Sequence, residues 1–174
     1  MSNEFNMPTE TVDLPSKGLL YSADSPLADG KIEMKYMTAK EEDILTNQNF
    51  IERGVVIDKL LQALIVDKKI DYNELLVGDK NALLIAARIL GYGKDYEFDY
   101  AGEKEAIDLS LLENKPLHKD IEKATENSFN YTLPTSGVVI TFKLLNHGDE
   151  QRIDGEVKGL KKMVIGLYLP RCWL

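Results

Sequence analysis

Lys31-Ile32-Glu33-Met34-Lys35-Tyr36-Met37-Thr38-Ala39-Lys40-Glu41-Glu42-Asp43-Ile44-Leu45 changes its hydrophobic period midway, from that of a strand to that of a helix. Residues 31 to 37 alternate, with Ile32, Met34 and Tyr36 on one face and Lys31, Glu33 and Lys35 on the other, as a half-buried strand requires. Thr38 ends the strand and opens a helix. Its hydroxyl can cap free backbone N–H groups of the first turn, while Glu41 reaches back to Thr38's own N–H, which makes a capping box. Glu41, Glu42 and Asp43 sit at the positive end of the helix dipole, where acids are favoured, and are expected to stay solvated. Upstream, Val12-Asp13-Leu14-Pro15-Ser16-Lys17-Gly18-Leu19-Leu20-Tyr21 contains a turn, because Pro15 fixes its own φ and Gly18 admits a positive one. Asp29-Gly30 is a second turn signal. Residues 12 to 37 therefore read as a β unit and 38 to about 49 as the first helix, preceded by a loose polar arm at 1 to 11.

Outward from this segment the helical period dominates. Arg53-Gly54 breaks the pattern, and Val55, Val56, Leu60, Leu61, Leu64 and Ile65 recur at helical spacing, which predicts an amphipathic helix over 55 to 66. Asp71 opens a short turn-like helix through about Leu76. Asp79 is the expected N-cap of a third main helix, 80 to 91, whose Leu83, Leu84, Ala87 and Leu90 give it an almost wholly apolar surface and make it the expected centre of the core. Gly91-Tyr92-Gly93 ends it as a glycine cap.

The period then changes again. Tyr96, Phe98 and Tyr100 alternate with Glu97 and Asp99, Ala101-Gly102-Glu103-Lys104 turns, and Glu105 to Leu109 alternates once more, which predicts a β-hairpin. The charged stretch 114 to 127, with Pro116 inside it, reads as a connector. Phe129, Tyr131 and Leu133 lead through Pro134-Thr135-Ser136-Gly137 into a strand from Val138 to Leu145, and a polar helix follows over roughly 148 to 162. Leu133-Pro134-Thr135-Ser136-Gly137 echoes Leu14-Pro15-Ser16-Lys17-Gly18, and each unit empties into an acidic helix start. The predicted fold class is α+β: a helical core at about 38 to 92 flanked by small β-hairpins. Its units are 1–11, 12–92, 93–127 and 128–174.

Composition bounds the function classes. In 174 residues, 44% are hydrophobic and 29% charged, an ordinary globular balance. Twenty-one Lys and Arg against 29 Asp and Glu leave a net charge of −8, which disfavours nucleic acid and anionic membranes as partners. The one cysteine, Cys172, leaves no internal disulfide or cysteine-rich zinc site and suits a reducing cytoplasm. The N-terminus lacks the basic and apolar regions of a signal peptide, so export through a cleaved signal is not expected. The apolar run from Ala82 to Leu90 is far shorter than the ~20 residues a membrane span takes.

The residues offer little chemistry. His118 and His147 have no neighbouring ligand pattern and are expected at the surface. Ser16, Thr135 and Ser136 lie in proline-glycine turns, where hydroxyls cap backbone groups. Gly78-Asp79-Lys80 lacks the spacing and Gly-Lys-Ser or Gly-Lys-Thr ending of a phosphate loop, and Gly91-Tyr92-Gly93 lacks the further glycine of a dinucleotide turn. No catalytic, cofactor or metal residue is assigned, and none of these patterns indicates an enzyme. The candidates for partner binding are Pro15, Leu19, Leu20 and Tyr21 in and beside the first turn, and Tyr96, Phe98 and Tyr100 on one hairpin face, since aromatics concentrate at interface hot spots. The alternative is that both sets cover the helical core.

The Leu-Pro-Ser-Lys-Gly entry, the strand leading into Met37-Thr38-Ala39-Lys40-Glu41-Glu42-Asp43, and the run Leu75-Leu76-Val77-Gly78-Asp79-Lys80-Asn81-Ala82-Leu83-Leu84-Ile85-Ala86-Ala87-Arg88 resemble, in order, the baseplate hub family of contractile-tailed, T-even-like phages. The resemblance runs from about Leu14 to about Leu160. It implies a structural part in baseplate hub and virion assembly, with other hub or tail proteins as partners, and a place in the tail baseplate after assembly in the host cytoplasm. Members of such a family can carry Cys-x-x-Cys knuckles in the hairpin corresponding to 96–109; this chain has none there, so no metal is carried over. The apolar tail 163–174 departs from the charged helix the family implies. Two rivals are an assembly chaperone absent from the finished particle and a small peptidoglycan hydrolase. The hydrolase would need paired carboxylates or a metal set in a cleft, a pattern the sequence does not display.

Overall fold

The computed structural model describes residues 8–124 and 126–168, with side chains through residue 160. Its architecture is α+β, as the change of periods predicts: helices 39–92 form the centre, and the described strands pair as three separate two-stranded antiparallel sheets.

The first sheet joins β1 (Thr9–Asp13) to β2 (Lys31–Lys35), in register from Thr9 opposite Lys35 to Asp13 opposite Lys31. β1 thus takes in residues 9–11 of the expected loose arm, because the edge of β2 offers its backbone groups a ladder. Residues 1–7 of that arm lie outside the described residues. Ile32 and Met34 point inward and are buried while Lys31 and Glu33 face solvent. The strand stops at Lys35, two residues earlier than expected: Tyr36 is turned outward, and its hydroxyl donates to Glu10 at 3.1 Å. Between the strands, the Leu14–Gly30 loop doubles back through a 3-10 turn at Pro26–Asp29, and Leu14 N–H closes it on Gly30 carbonyl at 2.8 Å. Gly18 and Gly30 sit where the two limbs cross. Both have positive φ, and a Cβ on Gly18 would lie 2.2 Å from the Ala28 carbonyl oxygen.

The first helix is two. α1 (Ala39–Leu45) ends at Thr46, and Asn47 caps α2 (Gln48–Glu52) by accepting from Phe50 N–H at 3.3 Å. Asparagine favours that cap over a helix interior. α3 (Val56–Leu64) buries Leu60, Leu61 and Leu64, the stripe its spacing predicts, and its exit pairs with the edge of β2 through Met34 and Ile65. A 3-10 turn at Tyr72–Glu74, capped by Asp71, leads into α4 (Val77–Tyr92).

α4 corrects two expectations. It starts three residues earlier than expected, with Leu76 rather than Asp79 at the cap, and Asp79 turns its side chain into the protein. Only one stripe of the helix is fully covered: Leu83 and Ala87 are buried, whereas Leu84 and Ile85 reach solvent. The core is shared among the Leu14–Gly30 loop, β2, α3, the Tyr72 turn and α4, and every buried hydrophobic residue described lies between Leu14 and Ala87. Full burial of each leucine, isoleucine or methionine among them contributes about 1.5–3 kcal/mol.

Beyond α4 the chain spreads outward. β3 (Asp95–Tyr100) and β4 (Glu103–Asp108) form the predicted hairpin, with Ala101 and Gly102 both at positive φ as a two-residue primed turn requires. A 3-10 turn at Leu109–Leu111 and the short α5 (Lys119–Glu122) form the connector. β5 (Phe129–Thr132) pairs with β6 (Val139–Phe142), and α6 (His147–Tyr168) follows, longer than the expected 148 to 162. Among the described residues no helix is long and apolar enough to cross a membrane.

Candidate functional site

The β3–β4 hairpin is exposed along nearly its whole length, and its register determines what it displays. Directly opposed residues of antiparallel strands share a face. Tyr96 opposes Ile107, Phe98 opposes Glu105, and Tyr100 opposes Glu103, so one face carries three aromatic rings backed by an isoleucine and two carboxylates. Phe98 stacks on Tyr96 with ring centroids 6.0 Å apart, and Tyr100, at the tip, is 69% exposed. The ribbon rests on the end of α4. Arg88 donates to the carbonyls of Gly93 (2.9 Å) and Asp95 (3.3 Å), and its guanidinium lies 5.2 Å from the Tyr92 ring centre and 5.6 Å from that of Tyr96. At the same base Lys94 pairs with Asp108 at 2.7 Å, and that contact, with Ser110 on the same carboxylate, holds the Asp108 carboxyl down to about 2.

The other predicted set divides. Leu19 is exposed, and Pro15, half-buried, lines a cleft of about 520 Å³ with Lys17, Asn114, Lys115 and Pro116, a cleft that Leu19 does not reach. Leu20 is buried, and Tyr21 packs against the core with its hydroxyl turned inward. That hydroxyl donates to Asp79 at 2.6 Å and accepts from Leu76 N–H at 2.9 Å, capping α4. Asp79 also accepts from Ser16 N–H (2.9 Å) and Ser16 hydroxyl (2.6 Å). Burial and the adjacent Asp79 carboxylate push the Tyr21 phenol far above its ordinary range. The Leu-Pro-Ser-Lys-Gly loop is therefore a clasp: Ser16 and Tyr21 hold it to the first turn of α4 through one buried carboxylate.

Two further expectations are corrected in the same sense. Glu41, expected to be solvated, is 1% exposed. It completes the capping box, accepting from Thr38 N–H at 3.1 Å, and takes a 2.6 Å bond from Lys35 on β2. Burial pushes its carboxyl up, but the Lys35 ammonium and the Thr38 donors outweigh this and hold it down to about 2. His147, expected at the surface, is 2% exposed, whereas His118 is exposed as predicted. The His147 ring meets Tyr72 edge-on at 4.7 Å, lies 2.9 Å from the Gln151 amide nitrogen, and faces Lys80, Asp58 and Glu150. Lys80 pairs with Glu150, and Tyr72 hydroxyl donates to Asp58 at 3.0 Å. His147 N–H bonds Leu75 carbonyl, and Val77 N–H bonds Leu145 carbonyl. The group latches the start of α6 to the start of α4.

The β5–β6 hairpin presents a second uncovered surface. Tyr131, Val139, Ile140 and Phe142 are all exposed, although Phe142 lies against Phe129 at 5.6 Å. A groove of about 400 Å³ runs between this hairpin and α5, past Ile121, Phe129, Phe142 and Leu144. Among the described residues no group of three His, Cys, Asp or Glu side chains is placed to hold a metal ion. Comparison with family models, curated proteins and solved structures finds no match to this chain.

Proposed function

We propose that this chain is a structural component of the central hub of a contractile-tailed phage baseplate, joining other hub or tail proteins by noncovalent contacts. The observation that carries the reading is the division of labour in the fold. The buried polar groups Asp79, Glu41 and His147 each hold one element of the chain to another. Two hairpins meanwhile offer aromatic and branched side chains outward, at Tyr96, Phe98 and Tyr100 and at Tyr131, Val139, Ile140 and Phe142. Uncovered aromatic ribbons on a stable core suit an assembly subunit. The ordered resemblance of the Leu14, Thr38 and Leu75 segments to a baseplate hub family supplies the setting, and the acidic balance favours protein partners over nucleic acid.

Co-expression with the hub and tail proteins of a contractile-tailed phage, followed by affinity capture and mass analysis of complexes and of purified particles, tests this. A defined complex that persists in particles supports a hub subunit. A complex found in lysate and missing from particles replaces it with an assembly chaperone, and capture of no tail protein overturns the reading.

A further inference from the structure

The aromatic face of β3–β4 already holds one guanidinium. Arg88, from the last turns of α4, lies over Tyr96 at the base of the ribbon, while Phe98 and Tyr100 continue the same face with no cation over them among the described residues. Opposite these two rings stand Glu105 and Glu103, both exposed. An aromatic ring beside a carboxylate matches an arginine side chain, whose planar cation stacks on the ring while its N–H groups reach the acid. Charge complementarity reinforces the match. The ribbon carries Asp95, Glu97, Asp99, Glu103, Glu105 and Asp108 against one cation, Lys104. Such a field repels phosphate backbones and anionic headgroups and draws in a basic protein segment.

We infer that the Phe98–Tyr100 and Glu103–Glu105 face of the β3–β4 hairpin is a docking site for an arginine-bearing basic segment of a partner protein, extending outward the cation stacking that Arg88 begins. The inference deepens the assembly reading and rests on its view of this hairpin as a contact surface. Arginine is preferred over lysine, because a compact ammonium is more strongly hydrated and cannot stack as a plane.

The test uses the full chain, ¹⁵N-labelled, titrated with a capped peptide of alternating arginine and glycine. Matching lysine-glycine and glutamate-glycine peptides serve as comparisons. Saturable shifts are expected at the amides of Phe98, Tyr100, Glu103 and Glu105, with the lysine peptide several-fold weaker and the glutamate peptide silent. The pair E103Q/E105Q and the single Y100A should each weaken arginine-peptide binding at least fivefold. D43N/E52Q, which removes two exposed acids from α1 and α2, should change it less than twofold. Circular dichroism of each variant should match that of the parent, as substitution of exposed side chains predicts. Shifts scattered over the acidic surface, equal binding of the lysine peptide, or an equal loss in D43N/E52Q would overturn the site. If the chain captures hub proteins but fails with the arginine peptide, guanidinium recognition falls and the assembly reading stands. Peptide binding at this face without capture of any tail protein supports the site and removes the baseplate setting.

Discussion

The β1–β2 and β5–β6 hairpins have the same local plan and opposite fates. Each runs strand, Leu-Pro turn, antiparallel strand, then a helix with an acidic first turn. In the first, Ile32 and Met34 are buried beneath the helices, and Glu41 at the helix start is sealed against Lys35. In the second, Ile140 and Phe142 are exposed, and the His147 group fastens the helix near its start. The lesson is that strand alternation and turn chemistry specify a hairpin, whereas burial depends on what the rest of the chain supplies to cover it. The helices of 39–92 cover the first hairpin; among the described residues the second and the β3–β4 ribbon are touched only at their margins, and their aromatic side chains stay exposed. Stability therefore rests on the first region, and we propose contact with partners for the other two.

The largest expected effect breaks the buried side of the comparison. Gly18→Ala forces a Cβ against the Ala28 carbonyl at a positive φ, and should cost about 4 kcal/mol in denaturant unfolding. The corresponding turn glycine of the second hairpin, Gly137, also has positive φ but has nothing within 4 Å of a built Cβ. Gly137→Ala should therefore cost about 1 kcal/mol, the conformational strain alone. Equal losses at the two sites would remove the distinction between a packed and an open turn.

Next in size is Asp79→Ala. Ser16 N–H, Ser16 hydroxyl and Tyr21 hydroxyl all lose their acceptor in a buried place, and the expected loss is about 3 kcal/mol by urea titration. A loss below about 1 kcal/mol would mean that the loop is held to α4 by packing and not by this carboxylate.

These two sites also show how far the sequence could be read. The strand from Lys31, the capping box at Thr38 and Glu41, the α3 stripe and a turn after Tyr100 were legible, because each is written within a few neighbouring residues, although the strand ends at Lys35 and not at 37 and the turn takes two residues, Ala101 and Gly102, and not four. The roles of Asp79 and His147 were not. Asp79 looked like a helix cap because aspartate near a helix start usually is one, and its partners Ser16 and Tyr21 lie 63 and 58 positions away. His147 gave no local sign of burial, since Tyr72, Lys80 and Asp58 come from the other half of the chain. For the candidate site, the alternation of Tyr96, Phe98 and Tyr100 announced the aromatic face. Arg88, which completes it, sits on a helix that periodicity alone assigned to the core.

The third prediction uses pH. The Glu41 carboxyl is held at about 2 in the folded protein, against 4.5 as its ordinary value. A carboxyl lowered by folding adds stability that is fully present above 4.5 and is lost as pH falls towards 2. Glu41→Gln should therefore be less stable than the parent by about 2 kcal/mol at neutral pH, and the gap should narrow steadily below pH about 4.5. A gap that does not change between neutral and acid pH would assign the effect to packing and not to the Lys35 pair.

The smallest expected effect lies on the open side. Ile140→Ala should cost about 0.5 kcal/mol, against about 3 kcal/mol for Ile32→Ala at the equivalent place in the first hairpin. Ile140→Ala should instead appear as weakened capture of a tail protein by the otherwise stable chain.

Hydrogen exchange of the isolated chain tests the comparison most directly, because it reads every hairpin ladder in one experiment. The account predicts that the amides of β2 and α3 exchange only by global unfolding, while those of β3–β4 and β5–β6 exchange orders of magnitude faster and slow down when a tail partner is bound. Equal protection of all three hairpins in the isolated chain would contradict it.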